Sequence, residues 1–175
     1  MDLHDEDRGL TDSLRTARLV LRRLRGDDRA DVMRIAGRLE VSRWLAVVPH
    51  PYRDTDFDDF LGLGDPHLWM IERDGTLIGA ISGGESLGYW LDPDAWGQGL
   101  MVEAGEAVLT RGFAEGRDEV DSTYHVGNDA SRRVLEKLGF TDAGAATSTC
   151  AALGLDEVPA RRMVLTRATW EAGRV

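Results

Sequence analysis

One stretch limits the folds open to this chain more than any other: Leu87 to Ala104, LGYWLDPDAWGQGLMVEA. Leu87 to Leu91 is apolar and aromatic, which suits a buried strand. Asp92-Pro93-Asp94 ends it, because proline cannot donate to a strand ladder. From Val102 to Phe113 the apolar spacing becomes helical, with Val102, Ala104, Gly105, Val108, Leu109 and Phe113 on one broad face. Gly97 and Gly99 fall between strand and helix. Lacking a Cβ, they let backbone N–H groups approach a ligand closely. The first turn of the helix adds unpaired N–H donors and a partial positive charge. Together these make an anion site suited to a diphosphate. Two glycines before a helix are by themselves more often a plain turn, so the rest of the chain must decide. A dinucleotide-binding domain is disfavoured, because Gly97-Gln98-Gly99-Leu100-Met101-Val102 lacks the third glycine of that fingerprint and no strand–acid pair follows where expected.

A second segment, Val126-Gly127-Asn128-Asp129-Ala130-Ser131-Arg132-Arg133-Val134-Leu135-Glu136-Lys137-Leu138-Gly139-Phe140, follows at a suitable distance. With it, the chain resembles the GNAT superfamily of acetyl-CoA-dependent N-acetyltransferases, and within it the RimJ/RimL-type branch that includes ribosomal-protein N-terminal acetyltransferases. The matching pieces stand in family order: Thr16 to Arg22, Gly88 to Pro93, Trp96 to Gly99, Asn128 to Phe140, and Arg162 to Leu165. Each alone is weak, and the five in order are fairly specific. The resemblance covers about residues 16 to 170. It implies one domain there, an α/β (α+β) fold with a central, mostly antiparallel mixed sheet flanked by helices. Residues 1–15 read as a flexible tail by composition.

Composition narrows the function classes. The net charge of −10 argues against general nucleic-acid binding, which needs a basic footprint. It leaves room for a basic acceptor, which an acidic cleft would attract. Cys150 is the only cysteine, so no internal disulfide forms, and a cytoplasmic chain is expected. No apolar run approaches the ~20 residues that span a bilayer. The expected partner is a small amine or a protein N-terminus, with no nucleic acid, membrane or metal, and a homodimer stays open.

In chain order, Arg18–Leu24 reads as a strand. Gly26-Asp27-Asp28 opens a helix with an apolar stripe of Val32, Ile35, Ala36 and Leu39, and Val41, Trp44 and Leu45 continue as a short second helix. Pro49-His50-Pro51-Tyr52 is a loop, and a helix is expected over Asp54–Leu63. Leu68–Arg73 and Thr76–Ser82 form a hairpin around Asp74-Gly75. Gly83-Gly84-Glu85 turns into the strand at Leu87. After the helix Leu100–Glu115 come a strand at Val120–Tyr124, a helix at Asn128–Leu138 closed by Gly139, a strand from Phe140 that fades into Ala143-Gly144-Ala145-Ala146, and a last strand at Arg161–Thr166.

Acetyl transfer from a thioester to an amine must orient the donor, stabilise the thioester oxygen and move protons. The resemblance assigns the diphosphate of acetyl-CoA to the backbone of Gly97, Gln98, Gly99, Leu100, Met101 and Val102. The family favours a small residue where Met101 stands, so a methionine turned inward would crowd the phosphates. Tyr89, Trp90 and Leu91 would pair with the pantetheine arm as an added strand does. Asn128 reads as an N-cap and, by resemblance, also contacts the cofactor arm. Ser131, on the same helix face, would protonate the departing thiolate. Trp44, His50 and Trp90 are candidates for the acceptor pocket, with packing roles as the alternative. Arg132 and Arg133 are candidates for the 3′-phosphate end. The general base is Glu85, or Glu103, or none if the amine arrives neutral; the acid usual in the family stands where this chain has Ser86, and strand alternation turns Glu85 to the other face. The expected function is an N-acetyltransferase acting by direct attack in a ternary complex. The alternative is a non-catalytic acyl-CoA-binding sensor or interaction module.

Overall fold

The computed structural model describes residues 13–173, so most of the expected tail lies outside the described residues. Two antiparallel sheets carry the fold. The first has five strands in sequence order: β1 (Ser13–Arg15), β2 (Val20–Arg22), β3 (Leu68–Arg73), β4 (Thr76–Gly83) and β5 (Leu87–Leu91). Ser13–Arg15, counted with the tail from composition, pairs with β2, and Leu14 packs against the core. The second sheet has the order β6-β8-β7, from β6 (Glu119–His125), β7 (Thr141–Cys150) and β8 (Leu155–Thr166).

The β3–β4 hairpin forms as its turn dictates. Asp74 and Gly75 both take positive φ, 51° and 77°, which matches the twist of the flanking strands. Side chains then alternate between two cores. Trp69, Ile71 and Ile81 enter the larger one with Leu100, Ala104, Val108 and Leu109 of helix α4 (Leu100–Ala114). Met70, Leu77 and Ala80 enter the smaller one with Val32, Ile35 and Ala36 of helix α1 (Arg29–Ala36) and Phe57 of helix α3 (Asp54–Gly62). Helices therefore cover both faces of the first sheet.

Several elements differ from the pattern expected. Helix α1 ends before Gly37, so Leu39 starts the short helix α2 (Leu39–Ser42) and is 41 % exposed instead of extending the α1 stripe. On α4 the buried stripe takes Leu100 and Met101, while Val102 is only half-buried. β7 does not fade at Ala143–Ala146. It runs to Cys150, turns through Ala151–Leu153, and β8 starts six residues before Arg161. β7 is built from small, mostly exposed residues, so a backbone ladder to β8 holds it without any apolar alternation to mark it. Its tip is pinned: the Cys150 thiol donates to the Arg43 carbonyl at 3.3 Å, and the Ala151 N–H donates to the Ala46 carbonyl at 3.0 Å. A final helix, α6 (Arg167–Ala172), tilts Trp170 onto Phe113 with ring centroids 5.6 Å apart.

Between β5 and β6 the sheets part. A single parallel bridge, Ser86 to Asp121, joins them. It is backed by the Asp121 N–H to the Glu85 carbonyl (3.2 Å) and the Ser122 hydroxyl to the Leu87 carbonyl (2.7 Å). Beyond these contacts the strands diverge into a slot.

Candidate active site

The slot opens into a cavity of about 580 Å³. Its walls come from β5, β6, the Gly97–Val102 turn, helix α5 (Asp129–Lys137), the residues after α2, and Ser148 of β7. The free edge of β5 faces it. The Asp92 N–H pairs back to β4 at the Ile78 carbonyl, whereas the Leu87 and Leu91 carbonyls bond away from β4, to Ser122 and to the Trp96 indole N–H (2.8 Å). Backbone direction alternates along a strand. Tyr89, between Leu87 and Leu91, therefore turns its N–H and C=O into the slot.

At the slot's mouth, Gly97 and Gly99 take φ of +72° and +73°, a region that side chains rarely adopt. A Cβ on Gly97 would meet nothing of the protein within 4 Å, and one on Gly99 only the tip of Arg18, at 3.8 Å. The space beside these backbones is thus open. Gly99 is the N-cap of α4 and its carbonyl accepts the first helical bond, from the Glu103 N–H at 3.1 Å. The N–H groups of Leu100, Met101 and Val102 precede that bond and have no helical acceptor. Left-handed glycines, N–H donors without helical acceptors and the helix dipole make a cradle that fits a diphosphate. Met101 does not crowd it: the side chain is 5 % exposed and belongs to the larger core. Gln98 is exposed and does not line the cavity; its amide bonds the Asp94 carbonyl and the Arg73 guanidinium. Buried Asp92 steadies the turn, accepting from Arg34 (2.6 Å) and Arg38 (3.5 Å) on the α1 side and from the Asp94 N–H (3.2 Å).

Across the slot, Asn128 caps α5 by accepting from the Ser131 N–H at 3.1 Å. The Tyr89 hydroxyl lies 2.9 Å from the Ser131 hydroxyl and donates to the Ser131 carbonyl at 3.2 Å. Burial pushes the Tyr89 phenol up to about 12, against the lowering effect of the Ser131 bond, so this pair holds its protons at neutral pH. Trp44, Trp90, Tyr89, Asn128 and Ser131 all line the cavity. Trp44 approaches the Gly127 backbone at the turn into α5. Arg133 and Lys137 line the rim one helical turn apart, while Arg132 faces outward and pairs with Asp129 and Glu136.

Three sequence candidates stand elsewhere. Glu85 is exposed and does not line the cavity; Ser86 does. The short turn contains no bulge to bring the carboxylate inward, and its carbonyl is spent on the bridge to β6. Glu103 is tied to the N-terminal segment, accepting from the Thr16 hydroxyl (2.5 Å) and from the Arg18 N–H (2.8 Å) and guanidinium (2.6 Å). Partial burial raises its pKa, and these bonds outweigh burial to hold the carboxyl below its usual range. His50 is exposed, its ring 3.0 Å from the Gly37 carbonyl, outside the cavity. The lining itself carries no Asp or Glu among the described residues, so the cleft is not acidic. Sequence reasoning missed His125 and Ser148, which line it and lie 3.2 Å apart. A histidine closing a buried strand was the signal for the first. The second had none, because β7 lacks a pattern.

Comparison with known proteins identifies the family. The acetyltransferase (GNAT) domain model matches residues 18–141. YdaF of Bacillus subtilis (strain 168), named as a candidate ribosomal N-acetyltransferase, is 28 % identical over 130 residues, covering 64 % of this chain and 70 % of YdaF. RimJ of Mycobacterium smegmatis, solved in complex with CoA-disulfide, superposes with a TM-score of 0.70 at 22 % identity, over 86 % of this chain and 82 % of that one. A spermidine N-acetyltransferase from Vibrio cholerae, solved with CoA and spermine, gives 0.73 at 15 % identity, over 89 % and 99 %. At such identities the two solved structures speak to the fold. The domain match spans more than half of the chain, and the chain therefore belongs to the GNAT family of acetyltransferases.

Proposed function

We propose that this enzyme moves the acetyl group of acetyl-CoA to the primary amine of a protein N-terminus or small amine, by direct attack in a ternary complex. One observation carries the reading: a free strand edge at Tyr89 leads from an anion cradle at Gly97–Val102 to a hydroxyl pair at Ser131 and Tyr89, all in one cavity. Acetyl-CoA supplies an activated acetyl thioester. The cradle residues hold its diphosphate, with Arg133 and Lys137 at the rim suited to the 3′-phosphate. The Tyr89 N–H and C=O, directed into the slot, pair with the amides of the pantetheine arm and orient the thioester. Ser131, backed by the neutral Tyr89 phenol, gives the departing sulfur its proton.

The acceptor end favours the N-terminus of a protein over a polyamine. Val41, Trp44, Leu45 and Trp90 make it apolar, and the described lining offers no carboxylate to pair a second or third ammonium. Among the relatives, this sides with the name of YdaF and against the spermidine enzyme. Thiol release from acetyl-CoA over a panel of peptides with free N-termini and of polyamines tests both points. Turnover is expected with peptides, with small or apolar first residues preferred. Binding of acetyl-CoA without thiol release on any amine would refute the reading and leave an acyl-CoA sensor.

A further inference from the structure

An acceptor ammonium must lose a proton before its nitrogen can attack, and neither carboxylate expected for the task reaches the cavity. The titratable groups that line it are Tyr89, Tyr124, His125, Arg133 and Lys137. Arginine and lysine side chains offer only donors, and the Tyr89 phenol, pushed up by burial, donates to Ser131 at neutral pH. His125 alone can take one up there.

Its setting suits that task. His125 is the last residue of β6, where the strand has left β5, and it is 7 % exposed. Its Nε2 lies 3.2 Å from the Ser148 hydroxyl, which also lines the cavity. The carbonyls of Arg43 and Thr149 act on the ring to favour its charged form, and the Ser148 hydroxyl also reaches the Thr149 carbonyl at 3.4 Å. A hydroxyl can donate to the neutral ring or accept from the charged one, whereas a carbonyl only accepts. Both protonation states of the ring therefore find hydrogen-bond partners, as a group that cycles between them requires. The β7–β8 arm and the segment after α2 hold this pair together through the Cys150–Arg43 and Ala151–Ala46 bonds.

Taking the acetyl-transfer reading as its basis, we propose that His125, acting through the Ser148 hydroxyl, is the general base that deprotonates the acceptor amine. The ammonium N–H breaks as its proton passes to the Ser148 oxygen, while the Ser148 O–H proton passes to Nε2. The ammonium becomes an amine and the imidazole an imidazolium, with no change of oxidation state. The amine then attacks the thioester carbonyl carbon, a C–N bond replaces the C–S bond, and a second nitrogen proton leaves for the sulfur by way of Ser131. The imidazolium returns its proton to solvent. Burial lowers the pKa of His125 below 6.5, outweighing the carbonyl bonds that raise it. The neighbouring groups leave that direction standing. On β6, Tyr124 faces Arg161 of β8, which is paired with Asp142 of β7. After α2, the Arg43 guanidinium stacks on Trp44, and the Cys150 thiol is spent on the Arg43 carbonyl. The imidazole is neutral, and competent as a base, at pH 7.

The test is the pH dependence of kcat/KM for the full chain, with His125→Gln and Ser148→Ala beside it and two peptide acceptors of high and low amine pKa. The unaltered enzyme should show an acid limb below pH 6.5. His125→Gln should abolish that limb and lower kcat/KM for the more basic amine by about 10²-fold, with acetyl-CoA affinity unchanged. Ser148→Ala should lower it in the same direction by less. The less basic acceptor, which arrives neutral, should recover most of the lost rate. Equal losses for both acceptors, or an unchanged limb in His125→Gln, would overturn the assignment while leaving acetyl transfer intact. Absence of turnover in the unaltered enzyme with any amine would overturn acetyl transfer itself.

Discussion

Gly97→Ala separates a strained backbone from a lost ligand contact. At φ of +72° an alanine carries a left-handed penalty of about 1–2 kcal/mol. Nothing of the protein lies within 4 Å of the new Cβ, so no packing cost adds to it. In a domain of this size that lowers Tm by about 2–8 °C. The methyl group projects into the open space beside the cradle. Displacing one phosphate from one backbone N–H removes a charge-assisted bond of about 1.5–3 kcal/mol, which weakens acetyl-CoA binding by roughly 10- to 100-fold. Gly64→Ala is the matched control. Gly64 has φ of +58° and an equally open Cβ position, in the loop after α3 away from the cavity. Calorimetric titration with acetyl-CoA, paired with thermal unfolding, reads both effects. The two variants should lose similar stability, and only Gly97→Ala should lose affinity. Unchanged acetyl-CoA affinity in Gly97→Ala would refute the diphosphate cradle.

Three further predictions rest on separate contacts. Tyr89→Phe removes the hydroxyl 2.9 Å from Ser131 and should lower kcat by roughly 10²-fold with acetyl-CoA affinity unchanged; stopped-flow thiol release checks this, and an unaltered kcat would remove Tyr89 from proton transfer. Asp28→Ala strands Arg22, whose side chain is 10 % exposed beside an Asp28 that is 6 % exposed; denaturant unfolding should show a loss of about 3–5 kcal/mol, and a loss below about 1 kcal/mol would mean that Glu72 alone satisfies the guanidinium. Glu103, with its folded pKa lowered, contributes stability that is present above the unfolded carboxyl pKa and lost as pH falls through the folded value. The unaltered chain should thus lose stability more steeply than Glu103→Gln on acidification below about pH 5, and parallel curves would contradict the assigned bonds.

The parts of the fold that were legible in the sequence are those where chemistry is local. Asp74-Gly75 dictates its own turn, Leu87–Leu91 and Leu100–Ala114 carry apolar patterns, and Gly139 ends α5 at φ of +92°. The full length of β7 was illegible because its ladder to β8 is backbone-made and its side chains are small and mostly exposed. The Arg22–Asp28–Glu72 cluster was illegible because Glu72 lies 50 residues from Arg22, and the nearby Asp28 reads equally well as a helix-start acid. One half of the cavity was legible from Gly97, Gly99, Asn128 and Ser131, which one loop and one helix present together. The other half depends on where β6, β7 and the residues after α2 meet. That meeting replaces Glu85 and His50 with His125 and Ser148 in the cavity, and no local pattern foretold it. Met101 shows the same limit, since its harmlessness depends on which way a buried side chain turns.

The most direct measurement is a crystal structure of the chain grown with CoA. The account predicts the diphosphate on the N–H groups between Gly97 and Val102, pantetheine amides paired with the Tyr89 backbone between β5 and β6, and the thiol beside the Ser131 hydroxyl. CoA bound outside this slot, or a slot closed by β5 pairing directly with β6, would contradict it.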